Sequence, residues 1–346
     1  MRFALDAEQR EFGRSLARML AAAGPPEVAR AWARGAYGPG RALWRRAADA
    51  GVFALAAPEK YGGLGPLPVE VAVAFEELGR FAVPGPLVET VAAAVLLARL
   101  DAAGAAGEWL PRVAAGRALL SLAAPGSGGF ALDADAADAV VVAGEAEVWL
   151  RAGRGEGGAP PAGGGSGSPL DATRRLLRPS TAGSLLAVGS AAREAIGEAT
   201  RWAAFATAAQ ALGVGRALLD RTVEYARQRH QFGVPIGSFQ AVKHRLADVL
   251  IGLEFARPLV YGAAVALATA PDRADADVAA AKAAACEAGY AAARAALQVH
   301  GAIGYTAEYD LSLWIGRARA LRLAWGTPGE CRRRVLAEPF HDQFHQ

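Results

Sequence analysis

Arg227-Gln-Arg-His-Gln-Phe-Gly-Val-Pro-Ile-Gly-Ser-Phe-Gln-Ala-Val-Lys-His-Arg-Leu-Ala-Asp248 decides the fold, because it joins two helical patterns through a turn crowded with groups suited to an anion. Upstream, Leu212, Leu218, Leu219, Val223 and Ala226 make one apolar helical face. Arg227 and Arg229 fall in its last turn, where positive charge opposes the helix macrodipole. The helix is predicted to stop near His230, since Gly233, Pro235 and Gly237 force a turn. Ser238 is placed to cap the next helix, along which Phe239, Val242, Leu246, Val249, Leu250 and Leu253 recur at helical spacing. Spacing alone describes a basic helix-helix corner with solvated arginines. The combined string is more specific than its parts.

Working outward, a chain of 346 residues with 53% hydrophobic and 21% charged residues is long enough for two or three packed units and too apolar for a disordered chain. Cys286 and Cys331 are too few and too isolated for a disulfide framework or a zinc cluster. The five histidines, His230, His244, His300, His341 and His345, lack metal-ligand spacing. A formal charge of +3 permits attraction to phosphorylated ligands but supplies no long basic stripe for nucleic acid. The first residues mix acids and bases where a secretory signal needs an apolar run, and no uninterrupted, strongly apolar stretch reads as a bilayer span. A cytoplasmic location is expected.

Three blocks follow. Residues 1–117 read as all-helical, with breaks at Pro25-Pro26, Pro58, the Tyr61 to Pro66 run and Pro84-Gly-Pro86. Residues 118–190 carry short apolar runs bounded by Gly, Asp and Pro, at 118–124, 139–143 and 147–151, which are strand signals. This reduced β unit contains a Gly/Pro/Ser/Ala-rich loop over 152–169. Residues 191–346 return to at least four long helices suited to an antiparallel bundle, broken at Gly233 to Gly237, near Pro271, at Gly301 to Tyr305 and at Gly326-Thr-Pro328.

That order, and motifs in the first and last blocks, resemble the acyl-CoA dehydrogenase family. The N-terminal motifs are Leu43-Trp44, Pro58-Glu-Lys-Tyr-Gly-Gly-Leu-Gly65 and Phe75-Glu-Glu-Leu-Gly-Arg80. In the last block the opening stretch is joined by Gln298-Val-His-Gly-Ala-Ile-Gly-Tyr-Thr-Ala-Glu-Tyr309. The resemblance implies an acyl-CoA dehydrogenase-like fold of N-terminal helices, small β domain and C-terminal bundle, with FAD as cofactor. Carried over, Arg229 would face the FAD pyrophosphate of an adjacent subunit, with Gln231 and Phe232 beside the cofactor and Gln240 near its adenine end. Gln298 and Gly301 would form a second wall, and Thr327 belongs to the same set of expected contacts. A guanidinium makes charge-assisted contacts to phosphate, and glycine lets backbone N–H groups approach an anion. Gly301-Ala302 stands where the family usually has two glycines.

The resemblance also exposes a gap. The family abstracts an α-proton with a carboxylate while the β-hydride passes to flavin. In many members that glutamate precedes a Gly-Thr pair, where this chain has Trp325-Gly326-Thr327; in others it lies where this chain has Ala203. Glu198, Glu308 and Glu330 are poorly placed replacements. In the middle unit the family's flavin-contacting segments survive only as Ala124-Pro125-Gly126-Ser127 and Trp149-Leu150-Arg151. The chain therefore resembles the non-catalytic subunit of heterotetrameric, steroid side-chain type acyl-CoA dehydrogenases. That implies a homologous catalytic partner, an acyl-CoA substrate and electron-transfer flavoprotein as acceptor. A homotetrameric enzyme with a relocated base and an inactive scaffold are the alternatives.

Overall fold

A computed structural model describes residues 5–101, 104–153, 169–180 and 183–337. The histidines His341 and His345, and nearly all of the Gly/Pro-rich loop, lie outside the described residues.

Six helices come first: α1 (Ala7–Ala21), α2 (Pro25–Ala33), α3 (Gly38–Asp49), α4 (Pro68–Arg80), α5 (Leu87–Leu100) and α6 (Ala105–Ala114). Helix α1 begins with a reciprocal cap, in which the Asp6 carboxylate accepts from the Gln9 N–H (2.8 Å) and the Gln9 side chain accepts from the Asp6 N–H (3.1 Å). Trp44 stacks on Phe53 with ring centroids 4.1 Å apart, and both are buried. Helix α5 is buried from Leu87 through Leu97, so its one acid in that stretch, Glu89, is carried inside with it.

The middle unit has strands β1 (Leu120–Ala123), β2 (Ala131–Leu132), β3 (Ala139–Ala143), β4 (Glu147–Ala152), β5 (Leu176–Leu177) and β6 (Ser184–Val188). Four of them form a sheet in the order β1-β3-β4-β6, with β1 and β3 parallel and the other pairs antiparallel. The three expected strand signals became β1, β3 and β4. Strand β6 escaped notice because its apolar residues are partly exposed at the sheet edge.

The last block holds α7 (Ser190–Gln228), the two-residue strands β7 (His230–Gln231) and β8 (Val234–Pro235), then α8 (Gln240–Thr269), α9 (Asp275–His300), α10 (Leu311–Leu323) and α11 (Pro328–Ala337). Helix α7, of 39 residues, spans roughly 58 Å at the standard rise. It is buried on all sides from Trp202 through Gly215, as befits a central core helix. It crosses α4 at close range, where a Cβ on Gly213 would sit 1.8 Å from the Glu76 carbonyl and one on Gly79 would sit 2.1 Å from the Gln210 carbonyl. Only glycine permits that approach.

Polar seams tie the blocks together. Asp133 accepts from Trp32 Nε1 (3.1 Å) and from the Arg175 N–H (3.0 Å), while Arg175 Nε reaches Asp135 (2.9 Å). Burial, opposed by Arg175, pushes the Asp133 carboxyl up to about 7. On the bundle side, Arg317 donates to Asp171 (2.5 Å), to the Thr173 hydroxyl (2.6 Å) and to the Val83 carbonyl (3.0 Å).

Helix α8 is long and apolar enough to cross a bilayer by length and composition alone, but its place is in the bundle. Val249, Leu253, Ala256 and Val260 are buried against neighbouring helices, Glu254 pairs with Arg216, and Arg257 and Tyr261 reach Glu76. Its other face leaves Leu250, Ile251, Phe255 and Leu259 exposed.

Candidate functional site

The basic corner forms at the end of α7. Arg229 takes the C-cap position with an extended backbone, which turns the chain out of the helix and presents an exposed guanidinium. Among the described residues no acid pairs with it. Next, β7 and β8 make a minimal hairpin, with His230 opposite Pro235 and Gln231 opposite Val234. Its tip is Phe232-Gly233, both at positive φ (53° and 80°), the pattern of a tight two-residue hairpin turn. Glycine adopts this conformation freely. Phenylalanine pays roughly 1–2 kcal/mol for it, and Phe232 is nonetheless 92% exposed.

Ser238 does not cap α8 as the sequence reading expected. A 3₁₀ turn over Ile236–Ser238 precedes the helix, the Ser238 hydroxyl donates to the Pro235 carbonyl (2.7 Å), and the N-cap falls to Phe239. Gln240 is consequently the first residue of α8, exposed beside the corner.

The second wall is adjacent within the same chain. Tyr225, one turn before Arg229, stacks on His300 with centroids 4.0 Å apart, and His300 also lies 5.6 Å from the Tyr309 ring. His300 is buried, its Nδ1 meets the Ala296 carbonyl at 2.8 Å, and burial pushes its imidazole below the ordinary histidine value. This aromatic sandwich brings the ends of α7 and α9 together, so that Arg229, Gln231, Phe232, Gln298 and Gly301 belong to one exposed end of the bundle. Gly301, at φ 66°, ends α9 in a conformation suited to glycine.

The family's base positions look entirely different. Ala203 is fully buried in the middle of α7, its carbonyl engaged by the Thr207 hydroxyl (2.7 Å). Trp325 is 1% exposed, again on left-handed backbone (φ 56°), and its ring packs against the Pro125–Ser127 turn, where a Cβ on Gly126 would stand 3.2 Å from it. Its Nε1 donates to Glu89 Oε1 at 3.2 Å. Glu89 also faces Arg174 at 3.8 Å, both side chains being buried. A cavity of about 450 Å³ adjoins this group, lined in part by Glu89, Arg174, Phe130 and Trp325.

Thr327, expected among the cofactor contacts, has its hydroxyl committed to the cap of α11: Glu330 accepts from the Thr327 N–H (2.7 Å) and hydroxyl (2.9 Å). Glu330, Glu198 and Glu308 are not drawn to Trp325; Glu198 pairs with Arg99, and the Glu308 carbonyl accepts from Arg30. The loop carrying Trp325 is held from behind by the fully buried Lys282, whose ammonium donates to the carbonyls of Leu321 (3.1 Å) and Gly326 (3.0 Å). Glu89, Arg174 and Lys282 went unnoticed in the sequence. An acid inside the otherwise apolar Leu87-Val-Glu-Thr-Val-Ala run was the available signal for the first.

The fold and these motifs define an acyl-CoA dehydrogenase. The family's N-terminal domain matches residues 6–117 and its C-terminal domain residues 192–339, and the chain belongs to that family, whose cofactor is FAD. Among its relatives is the acyl-CoA dehydrogenase IpdE2 of Mycobacterium tuberculosis, 36% identical over 340 residues that span 96% of this chain and 97% of that protein. The ChsE4–ChsE5 complex of Mycobacterium tuberculosis contains a chain of similar structure (TM-score 0.80, 28% identity, 98% of this chain and 99% of that one). The steroid acyl-CoA dehydrogenase Tcur3481–Tcur3483, a G363A variant, contains another (TM-score 0.76, 25% identity, 95% and 96%).

Proposed function

We propose that this chain is the partner subunit of an FAD-dependent acyl-CoA dehydrogenase that desaturates an acyl-CoA thioester of the steroid side-chain type. In this reading its corner completes the FAD site of a homologous catalytic subunit. The observation that carries the proposal is the pairing of an open, strained Phe232, beside an Arg229 that no acid among the described residues pairs, with a base position closed by Trp325.

FAD, when bound, supplies the hydride acceptor. This chain's part is to hold it. The Arg229 guanidinium offsets pyrophosphate charge, Phe232 covers an apolar portion, Gln231, Gln240 and Gln298 offer amide hydrogen bonds, and Gly301 exposes backbone N–H. The exposed Leu250, Ile251, Phe255 and Leu259 face of α8 supports subunit packing next to the corner. Neither Trp325 nor Ala203 can accept the α-proton, so the partner supplies the base. Electron-transfer flavoprotein as acceptor and a cytoplasmic location belong to the same proposal. Two similar solved structures, ChsE4–ChsE5 and Tcur3481–Tcur3483, pair different chains, which supports a heterotetramer.

Among the described residues the competing homotetramer has Glu89 as a structural candidate for a relocated base, and its Oε1 is already engaged by Trp325. Flavin absorbance separates the two. The proposal expects little flavin in this chain expressed alone and full flavin after co-expression with its homologue. Stoichiometric flavin in the lone chain, bleached by an acyl-CoA, would overturn it.

A further inference from the structure

Arg229 is exposed, yet its backbone is anchored inward. Its N–H donates to the Tyr225 carbonyl (2.8 Å) and its carbonyl accepts from the Ile236 N–H (2.8 Å), so the last turn of α7 sets where the guanidinium starts. An aromatic clamp supports that turn. The Tyr225 ring stacks on His300 with 25° between the planes, and His300 is further enclosed by Tyr309 and by Gly304, where an added Cβ would stand 3.0 Å from the His300 Cβ. The clamped imidazole has a defined tautomer. A carbonyl oxygen only accepts, so Nδ1, 2.8 Å from the Ala296 oxygen, carries the proton and Nε2 keeps the lone pair. Nε2 is buried and, among the described residues, has no partner, in a residue 5% exposed. A proton added there would create a buried charge and a donor without an acceptor. The surroundings do not compensate it. Arg221 of α7 and Asp310 both face Tyr309, but Asp310 is held by Arg30 at 2.6 Å. Tyr305 and Glu308, in the segment between α9 and α10, and Arg294 of α9 are exposed.

We infer that His300 is a positioning residue for Arg229: its neutral ring clamps Tyr225 and keeps the last turn of α7 wound, and uptake of a proton at Nε2 opens the clamp and loosens the corner. The sign follows from the burial of the ring. Burial disfavours the imidazolium and outweighs the Ala296 bond, so the net displacement is below the ordinary value of 6.5. A group depressed in this way binds more protons once the clamp is open. Closure is therefore complete above pH 6.5 and is lost as pH falls from there towards the folded value. The consequence for FAD, a weaker hold in mildly acid solution, rests on the proposed role of Arg229; the clamp itself does not.

Amide hydrogen exchange at the end of α7 tests the clamp, read by mass spectrometry on the full chain at about pH 7.5 and about pH 5.5 and corrected for the intrinsic pH dependence of exchange. Protection of the segment containing the Arg229 N–H should drop about threefold or more across that range. His300→Phe keeps a ring between the tyrosines but takes up no proton, so its protection should stay level. His230→Gln removes the exposed imidazole next to Arg229 and should leave the drop in place. Level protection in the parent, a drop that persists in His300→Phe, or one that vanishes in His230→Gln would overturn the inference. The parent profile needs no variant, so it decides the matter even where His300→Phe folds poorly. FAD retention by the assembled complex over the same range should weaken together with protection. Retention that stays constant while protection falls would leave the clamp standing and remove Arg229 from the cofactor site.

Discussion

Phe232 and Trp325 are both aromatic residues on left-handed backbone, at φ 53° and 56°, yet the first is 92% exposed and the second 1%. The same kind of local strain serves opposite ends. At the corner it lifts a ring outward beside Arg229, where among the described residues only the Phe239 ring comes edge-on to it, at 6.2 Å between centroids. At position 325 it turns an indole inward, where Glu89 accepts its N–H and the 125–127 turn packs on its face. One region is open to solvent, and the other is closed from within.

The closed region should respond most strongly to mutation. Arg317→Met leaves the buried Asp171 carboxylate without its ion-pair partner, and removing one member of such a pair costs about 3–5 kcal/mol; urea denaturation measures it. The pH dependence should change sign as well. Burial raises Asp171, but Arg317, the Thr173 hydroxyl and Arg174 outweigh it, and the net displacement is below the ordinary value of 3.8. A depressed carboxylate contributes stability that is present above its unfolded pKa and lost as pH falls through the folded one. The native chain should therefore lose this contribution only below pH 3.8. In Arg317→Met, burial acts unopposed by that guanidinium, and stability should rise as pH falls from neutral. A variant as stable as the parent would show that the closure is not held by this seam.

The open region should behave in the reverse manner. Arg229→Gln removes an exposed side chain without a described partner, so the thermal midpoint of the chain should barely move, within about 0.5 kcal/mol of stability. In the assembled complex the same change should weaken FAD retention by roughly tenfold or more, as loss of a charge-assisted hydrogen bond implies. Flavin release on dilution reads it. Unchanged retention would remove Arg229 from the cofactor site and break the contrast.

The open region was legible because its chemistry is local: a helix end, a hairpin and the next helix start follow one another within 22 residues. Even there, the Ser238 cap failed, since a 3₁₀ turn consumed the hydroxyl before α8 began. The link to Gln298 and Gly301 required the Tyr225–His300 stack, which no spacing announces. The closed region was legible only as a loss, through Trp325 and Ala203. What replaced the carboxylate was hidden, because Glu89 and Trp325 are separated by 236 positions and Asp171 and Arg317 by 146. Lys282 was hidden for the same reason, as its partners are carbonyls, which every sequence contains.

Native mass spectrometry of the complex purified through a tag on this chain tests the central claim most directly, since subunit identity and FAD count are read from one ion. The account predicts equal numbers of this chain and a homologous subunit, with fewer FAD than polypeptides. A homotetramer carrying one FAD per chain would contradict it.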